Sequence, residues 1–515
     1  MLQNARIVFF GGTGGKGVEY RDRLSNDGVG DSLRTCGPNL LFIYTDEQSY
    51  RTMAAYGNER IETPNLNRLA AESVVFERAY VTQPVCTPSR SSILTGLYPH
   101  TNGCTANNVP LSPDTLCLPE MIQNGAYATA HHGKWHLGDE IYPQHRFEDW
   151  RSIEDTYIPY YSSGRDPADR STYHHFLIEN GFAPGDGNLF SRGRAARLPE
   201  RYGKPAYLAR EASRFLREHR DDPFILYVNF LEPHMPFFGP RDDQHDPADV
   251  ILPDNFAAYP TADQPSRARR LRERVRAHGH SGLSLKSEAD WRRLIANYWG
   301  LCSLVDTHVG RILATLEECG LAENTIVVYT SDHGDMMASH GLLTKCVMFE
   351  EAVRVPLLLR LPAQRTSHRV TNRVSQIDLV PTLLDLMGGP IPPALQGYSL
   401  KPVIDGSGPP PEPDVFIEWN VREPEPGAAA SPENAWEATG DFVRSILTPD
   451  GLKFNWSALG EHELYDLTAD PGETTNLVAD SQVRSVIAQL AQRIRRWQER
   501  TGDPLALPTL VVRRL

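Results

Sequence analysis

From Asn39 onward, short and almost continuously apolar runs alternate with segments of helical period. Four runs stand out: Leu40-Leu41-Phe42-Ile43-Tyr44, Ala126-Tyr127-Ala128-Thr129-Ala130, Phe224-Ile225-Leu226-Tyr227-Val228 and Ile326-Val327-Val328-Tyr329. None alternates regularly with polar residues, as expected of strands buried on both faces, and the pattern predicts an α/β fold with a large, mostly parallel sheet flanked by helices. One covering helix is predicted where Thr63-Pro64 supply a cap and first-turn proline ahead of Leu66, Leu69, Ala70 and Val74. Another runs through Tyr298, Leu301, Val305, Val309 and Ile312 and stops near Gly320. From about 160 to 220, and again from about 240 to 285, the chain turns charged and loop-like, which reads as insertions over one face.

Punctuation by glycine and proline sets the expected domain limits. Residues 1–38 are rich in Gly, Asp and Arg and end at Gly37-Pro38, so they read as a flexible N-terminal extension. The run Pro409-Pro410-Pro411-Glu412-Pro413 divides a main domain, 39–408, from a smaller C-terminal α+β subdomain, 409–515. Inside the extension, Gly12-Thr13-Gly14-Gly15-Lys16-Gly17 matches G-x-G-x-x-G by letter. It fails as a phosphate loop, because Phe10 stands at the first Walker glycine and Gly17 replaces the Ser or Thr after lysine.

A chain of 515 residues exceeds one core of usual size, in keeping with a large domain and a smaller companion. Its formal net charge of -13 disfavours nucleic acid and anionic membranes as partners, so an anionic substrate would need a locally cationic pocket. Seven cysteines form no C-x-x-C pair and leave one over, which speaks against a zinc ribbon or disulfide framework and for a reducing compartment. Ile7-Val8-Phe9-Phe10 is too short for a signal-peptide core and no apolar run reaches membrane-spanning length, so the expected location is cytoplasmic.

Ligands of open parallel sheets bind beyond the carboxyl ends of the strands. The residues there form a coherent chemical set: Asp46-Glu47-Gln48 after the first run, Lys134 and His136 after the second, Glu232 and His234 after the third, Asp332-His333 after the fourth. Carboxylates with an imidazole suit a hard divalent cation, while lysine and histidine suit an oxygen-rich anion. Cys86-Thr87-Pro88-Ser89-Arg90, followed by Ser91-Ser92-Ile93-Leu94-Thr95-Gly96, is the most informative stretch. Pro88 suits a first helical turn, which would put residue 86 at a positive helix N-terminus.

The C-x-P-x-R pattern with its leucine-threonine-glycine continuation resembles the site at which type I sulfatases of the alkaline phosphatase superfamily carry a cysteine oxidised to formylglycine. The resemblance extends through Gly133-Lys134-Trp135-His136-Leu137-Gly138, Glu232-Pro233-His234 and Ser331-Asp332-His333-Gly334-Asp335. It continues through His340-Gly341-Leu342, Lys345 and Glu350 to Pro356, then Glu463-Leu464-Tyr465-Asp466-Leu467 to Pro471-Gly472-Glu473. It implies an alkaline phosphatase-like fold, with 39–408 as the catalytic domain. It also implies hydrolysis of sulfate monoesters, including those of sugars, and maturation by a formylglycine-generating enzyme.

By position, the resemblance assigns a divalent metal, most often Ca2+ with Mg2+ or Mn2+ as alternatives, to Asp46, Asp332 and His333 together with residue 86. Glu47 stands open between direct ligation, ligation through water and contact with sulfate. Arg90 and Lys345 would neutralise the aldehyde hydrate and the sulfate; Asn107 would lie beside them, with Asn108 as the alternative. Sulfuryl transfer should resemble loose phosphoryl transfer, so the protein must position, neutralise and protonate. His234 and Lys134 are the candidate acids for the departing alcohol, and His136 the candidate base that lets the hydrate expel sulfate.

Plainer readings accompany these. Cys86 alone would be a buried structural thiol, Asp332-His333 a capped strand-end turn, and Lys134 with His136 a solvated loop pair. His100, His131, His132 and His340 read as packing or hydrogen-bonding residues, Tyr298 and Trp299 as core, Tyr157 to Tyr161 as core or a sugar platform. Arg267-Ala268-Arg269-Arg270-Leu271-Arg272 reads as a solvated helix. Leu97 departs from the arginine frequent in the signature. The competing functions are a phosphonate monoester or phosphodiester hydrolase of the same superfamily and a catalytically silent anion-binding relative.

Overall fold

The computed structural model describes residues 37–122, 127–261, 264–420 and 441–510. The expected N-terminal extension and its glycine motif, apart from Gly37-Pro38, lie outside the described residues, as does Ala126 of the second apolar run. Eight strands build the large sheet: β1 (Asn39–Asp46), β2 (Val74–Tyr80), β3 (Ala128–Gly133), β4 (Asp149–Arg151), β5 (Phe224–Pro233), β6 (Thr325–Ser331), β7 (Arg354–Arg360) and β8 (His368–Ser375). Their order is β4-β3-β5-β1-β6-β7-β2-β8, and only β7 runs against the others. A second, antiparallel sheet is ordered β12-β11-β10-β9, from β9 (Val415–Trp419), β10 (Val443–Leu447), β11 (Leu452–Ser457) and β12 (Glu463–Asp466).

The four apolar runs are the centre of the large sheet. β1 lies between β5 and β6, with Leu40 opposite both Ile225 and Ile326. Its side chains alternate between two cores as the pleat requires. Leu40, Phe42 and Tyr44 join Ile93, Leu94 and Leu383 on one face, while Leu41 and Ile43 join Leu208, Val305, Val309 and Ile312 on the other. Helices Cys86–Thr95 and Leu379–Leu386 therefore cover the first face, and Lys204–Glu218 and Glu288–Glu318 the second.

Four expectations are corrected. The helix after Thr63-Pro64 ends at Ala71, and Val74 instead opens β2. Thr63 makes no side-chain cap; the Asp306 carboxylate of the long helix accepts from the backbone N–H of Leu66 at 2.7 Å and of Asn65 at 3.3 Å. The 160–220 and 240–285 segments hold the helices Lys204–Glu218 and Ser266–His278. In the former, Tyr207, Leu208, Ala212, Phe215 and Leu216 form the buried stripe. Arg267 is not solvated: it is buried, stacks 4.2 Å from the Trp419 ring and donates to the Asp441 carbonyl at 2.7 Å. No helix among the described residues is long and apolar enough to cross a membrane.

Candidate active site

The site is assembled where β1, β3, β5 and β6 end. Asp46 closes β1, and the chain turns at Glu47 with a φ of 67°. That left-handed turn is held on both sides: the Glu47 N–H donates to Asp332 Oδ1 at 3.1 Å, and the Tyr298 hydroxyl donates to the Glu47 carbonyl at 2.7 Å. Cys86 opens a helix whose ten residues are all buried, so the polar groups of its sequence must find partners inside the protein. Arg90, one turn on, does so through Nε to Asp332 Oδ2 at 2.8 Å, a terminal nitrogen to Asp46 Oδ2 at 2.9 Å and the other to the Lys134 carbonyl at 2.8 Å. Lys134 Nζ reaches the same Asp46 oxygen at 2.6 Å.

His333 donates from Nδ1 to the Gly334 carbonyl at 2.9 Å, which leaves the Nε2 lone pair facing inward. Nε2 lies 3.2 Å from Cys86 Sγ, 3.5 Å from Asp332 Oδ1 and 3.6 Å from Asp46 Oδ1. Asp46, Cys86, Asp332 and His333 thus offer donor atoms within 4.8 Å of one another, and Asp46, Glu47 and His234 form an overlapping group. Glu47 Oε2 lies 2.9 Å from Lys345 Nζ and 3.4 Å from His234 Nε2, and the Glu47 carboxyl also pairs with that of Asp335. Crowded carboxylates and an inward imidazole lone pair fit a divalent cation.

The charges reinforce one another. Burial alone would raise the Asp46 carboxyl, but Lys134, His234, Arg90 and Lys345 outweigh it and hold it well below the usual range. Burial raises Glu47 to about 8 despite Lys345. Burial and then the Asp46 charge push the Cys86 thiol up to about 11, so at neutral pH it stays protonated. Burial, with Lys134 and Arg90 near His136 and with Lys345 near His234, lowers both imidazoles well below the ordinary histidine value.

The remaining predicted residues sit beside the first turn of the Cys86 helix. Asn107 Oδ1 accepts from the Thr87 N–H at 3.1 Å, and Asn108 N–H donates to Thr87 Oγ1 at 3.2 Å. His136 Nε2 pairs with Asn108 Oδ1 at 2.9 Å, leaving Nδ1 without a hydrogen-bond partner. Lys134 and His136 are buried rather than solvated. Their loop is held by Glu140, which accepts from the Trp135 N–H at 2.9 Å and the His136 N–H at 2.6 Å. His131 stacks on Trp150, His340 on Phe349, and His132 and His100 pair with Asp149 and Glu418, all apart from the donor set.

Sequence reasoning offered Tyr157 only within an aromatic stretch and passed over Arg192 and Gln376. Tyr157 lays its ring 4.6 Å from His136, and Arg192 donates to the Tyr157 hydroxyl at 2.8 Å. Gln376 donates to the Ser331 carbonyl at 2.7 Å and steadies the end of β6. None of these belongs to a motif; each follows from tertiary proximity.

The comparisons with known proteins agree with this geometry. The family model described as Sulfatase matches residues 38–389. The N-acetylglucosamine-6-O-sulfatase of Bacteroides thetaiotaomicron is 28% identical over 501 residues, covering 90% of this chain and 87% of its own. A solved structure of a protein in complex with D-glucosamine-2-N,6-O-disulfate, described as that protein's substrate, superposes with a TM-score of 0.68 at 25% identity, covering 91% of this chain and 99% of that one. The phosphonate monoester hydrolase of Agrobacterium radiobacter gives 0.71 at 26% identity, covering 90% and 96%. The chain belongs to the sulfatase family, with its alkaline phosphatase-like fold, and is a sulfuric ester hydrolase.

Proposed function

We propose that the chain hydrolyses sulfate monoesters of carbohydrates, using a formylglycine made from Cys86 and a divalent cation, Ca2+ in first place. The observation that carries this reading is the setting of Cys86: a buried, protonated thiol at a helix N-terminus, 3.2 Å from His333 Nε2 and ringed by Asp46, Arg90, Lys134 and Asp332. A thiol so held is a poor nucleophile, whereas an oxygen at that position would sit among cations and metal donors. The relatives acting on sulfated glucosamine support a sugar as the alcohol. The thiols of Cys104, Cys117, Cys302 and Cys319, none of them in a disulfide, favour a reducing, cytoplasmic compartment.

When bound, the cation would be held by Asp46, Asp332, His333 and Glu47 and would draw charge from the sulfate oxygens, while the aldehyde hydrate would supply the attacking oxygen. Arg90 holds the Asp46 and Asp332 carboxylates in place. Lys345 brings an ammonium beside Glu47 for the sulfate. His234 donates from Nδ1 to the Met235 carbonyl at 2.9 Å, so Nε2, which the lowered pKa leaves unprotonated at neutral pH, must take up a proton before it could pass one to the departing alcohol. Lys134, committed to Asp46, is the alternative donor. His136 has Nε2 occupied by Asn108 and would take a proton at Nδ1. Asn107 stands at the helix N-terminus as a substrate contact.

Mass spectrometry of the residue-86 peptide, after expression with a formylglycine-generating enzyme, should show the aldehyde in every active preparation. Full activity with unmodified cysteine would overturn the mechanism. The likeness to a phosphonate monoester hydrolase favours a second reading, hydrolysis of phosphonate monoesters or phosphodiesters. Rates on matched aryl sulfate, phenyl phosphonate and phosphodiester substrates decide between them; a large preference for phosphorus would replace the first reading.

A further inference from the structure

The 160–220 insertion brings a buried charge cluster to the edge of the site. Glu154 is 1% exposed and carries two cations: Arg192 Nε at 2.6 Å and the ammonium of Lys204, which is 3% exposed and bonds the other carboxylate oxygen. Both cations also bear on Glu232, a second buried carboxyl of the same cleft that burial pushes up to about 7, so the cluster carries its full positive excess while Glu232 keeps its proton. Only Arg192, 25% exposed, brings that charge toward solvent. Its guanidinium is fixed twice, by Glu154 and by the Tyr157 hydroxyl at 2.8 Å, so little side-chain freedom remains to be lost on binding an anion.

The position of Arg192 relates it to both histidines of the site. Tyr157, to which it donates, packs its ring 4.6 Å from His136. On the other side, Arg192 shares a narrow cleft with Lys204, Glu232, His234, Pro236 and Phe238. Its charge bears on Asp46, His136 and His234, as well as on Lys134. The sulfate-facing cations Arg90, Lys134 and Lys345 are already engaged with Asp46, Asp332 and Glu47. Arg192 is bound to none of those three carboxylates.

We propose that Arg192, presented by Glu154 and Tyr157, forms a second anion subsite that receives a negatively charged substituent of the alcohol half of the substrate, a carboxylate or a second sulfate. This rests on the carbohydrate sulfatase reading and names the substrate class within it: sugars bearing two anionic groups. A guanidinium held in a low-dielectric rim recognises either oxyanion by paired charge-assisted hydrogen bonds. It also helps an anionic substrate to approach a chain of net charge -13.

Affinity is the decisive readout, because it does not require turnover. In a Cys86→Ala background, calorimetry should show glucosamine-2-N,6-O-disulfate binding about tenfold or more tightly than glucosamine-6-sulfate, or glucuronate-2-sulfate than glucose-2-sulfate. The first pair tests sulfate and the second carboxylate as the recognised group. Arg192→Gln should abolish that preference and Arg192→Lys should restore part of it, with binding of the singly charged sugars changed less than about twofold. Glu154 keeps Lys204 in the Gln variant, so no buried carboxylate is left unpaired and the fold should persist. Equal binding within both pairs in the parent, or equal loss on singly and doubly charged sugars in the variant, would overturn the subsite. If the preference holds while active enzyme cleaves none of these sulfates, the subsite stands and the proposed reaction falls.

Discussion

Two buried ionic networks in this protein are built for different ends. In the first, Asp46, Asp332, Arg90 and Lys134 interlock at the sheet edge, beside the buried carboxyl pair of Glu47 and Asp335. In the second, Lys453 of β11 reaches Glu350 at 3.2 Å and Glu473 at 2.8 Å. Glu350 in turn accepts from the Tyr80 hydroxyl at 3.0 Å and donates its N–H to Glu473 at 2.6 Å. The second closes upon itself and ties the small sheet to the segment leading into β7. The first gathers carboxylate, imidazole and thiol donor atoms within 4.8 Å of one another. Crowding such donors in the interior is costly, so the arrangement suits a place that receives a cation rather than one that merely holds the fold.

The comparison is broken most severely at Arg90. Arg90→Met strips the guanidinium from two buried carboxylates, so stability should fall by about 3–5 kcal/mol. Turnover per folded molecule should fall by about a thousandfold or more, because a preorganised charge at the site is lost. Denaturant melts and kinetics on the same preparation test both; an active variant would show that the first network is only structural.

Lys453→Met separates the two networks. It leaves Glu350 and Glu473 buried without their ammonium and should cost about 3 kcal/mol in a denaturant melt. Turnover of the remaining folded enzyme should stay within about twofold, since no site residue is touched. A matching loss of turnover would mean that the two networks act as one.

The smallest effect is a pH dependence confined to the closed network. Burial, opposed by Lys453, pushes the Glu473 carboxyl up to about 8 from an ordinary 4.5. The folded chain then keeps a proton that the unfolded chain releases at lower pH. The stability so gained is full below about 4.5 and is lost as pH rises through about 8. Glu473→Gln should therefore flatten the decline in Tm between pH 5 and 8 without altering the pH profile of turnover; an unchanged decline would assign it to other groups.

Much of the fold was legible because the central strands are apolar on both faces, and that pattern survives in a single sequence. β1, β5 and β6 were found this way, and the polar residues at their ends converge as the topology of a parallel sheet requires. The helix Lys204–Glu218 was hidden because Arg210, Glu211, Arg214, Arg217 and Glu218 mask a buried stripe that includes Tyr207, Leu208, Ala212, Phe215 and Leu216. Val74 looked helical by spacing yet extends a strand, since pairing with Leu359 of β7 and His368 of β8 outweighs local period. The motif residues of the site were readable as motifs; Tyr157 was legible only as part of an aromatic stretch, and Arg192, Glu154 and Glu140 were not.

By itself, the sequence determined the α/β class, the strands that meet at the site, and the set of Cys86, Arg90, Asp46, Lys134, Asp332 and His333, because strand periodicity and short-range motifs are local properties of the chain. Only the tertiary structure decided that Glu47 pairs with Lys345 and lies near His234, that His136 is bound to Asn108, and that an insertion brings Arg192 to the rim. Those outcomes depend on burial and on charges far apart in sequence, and neither is set until the sheet and its covering layers have closed around them.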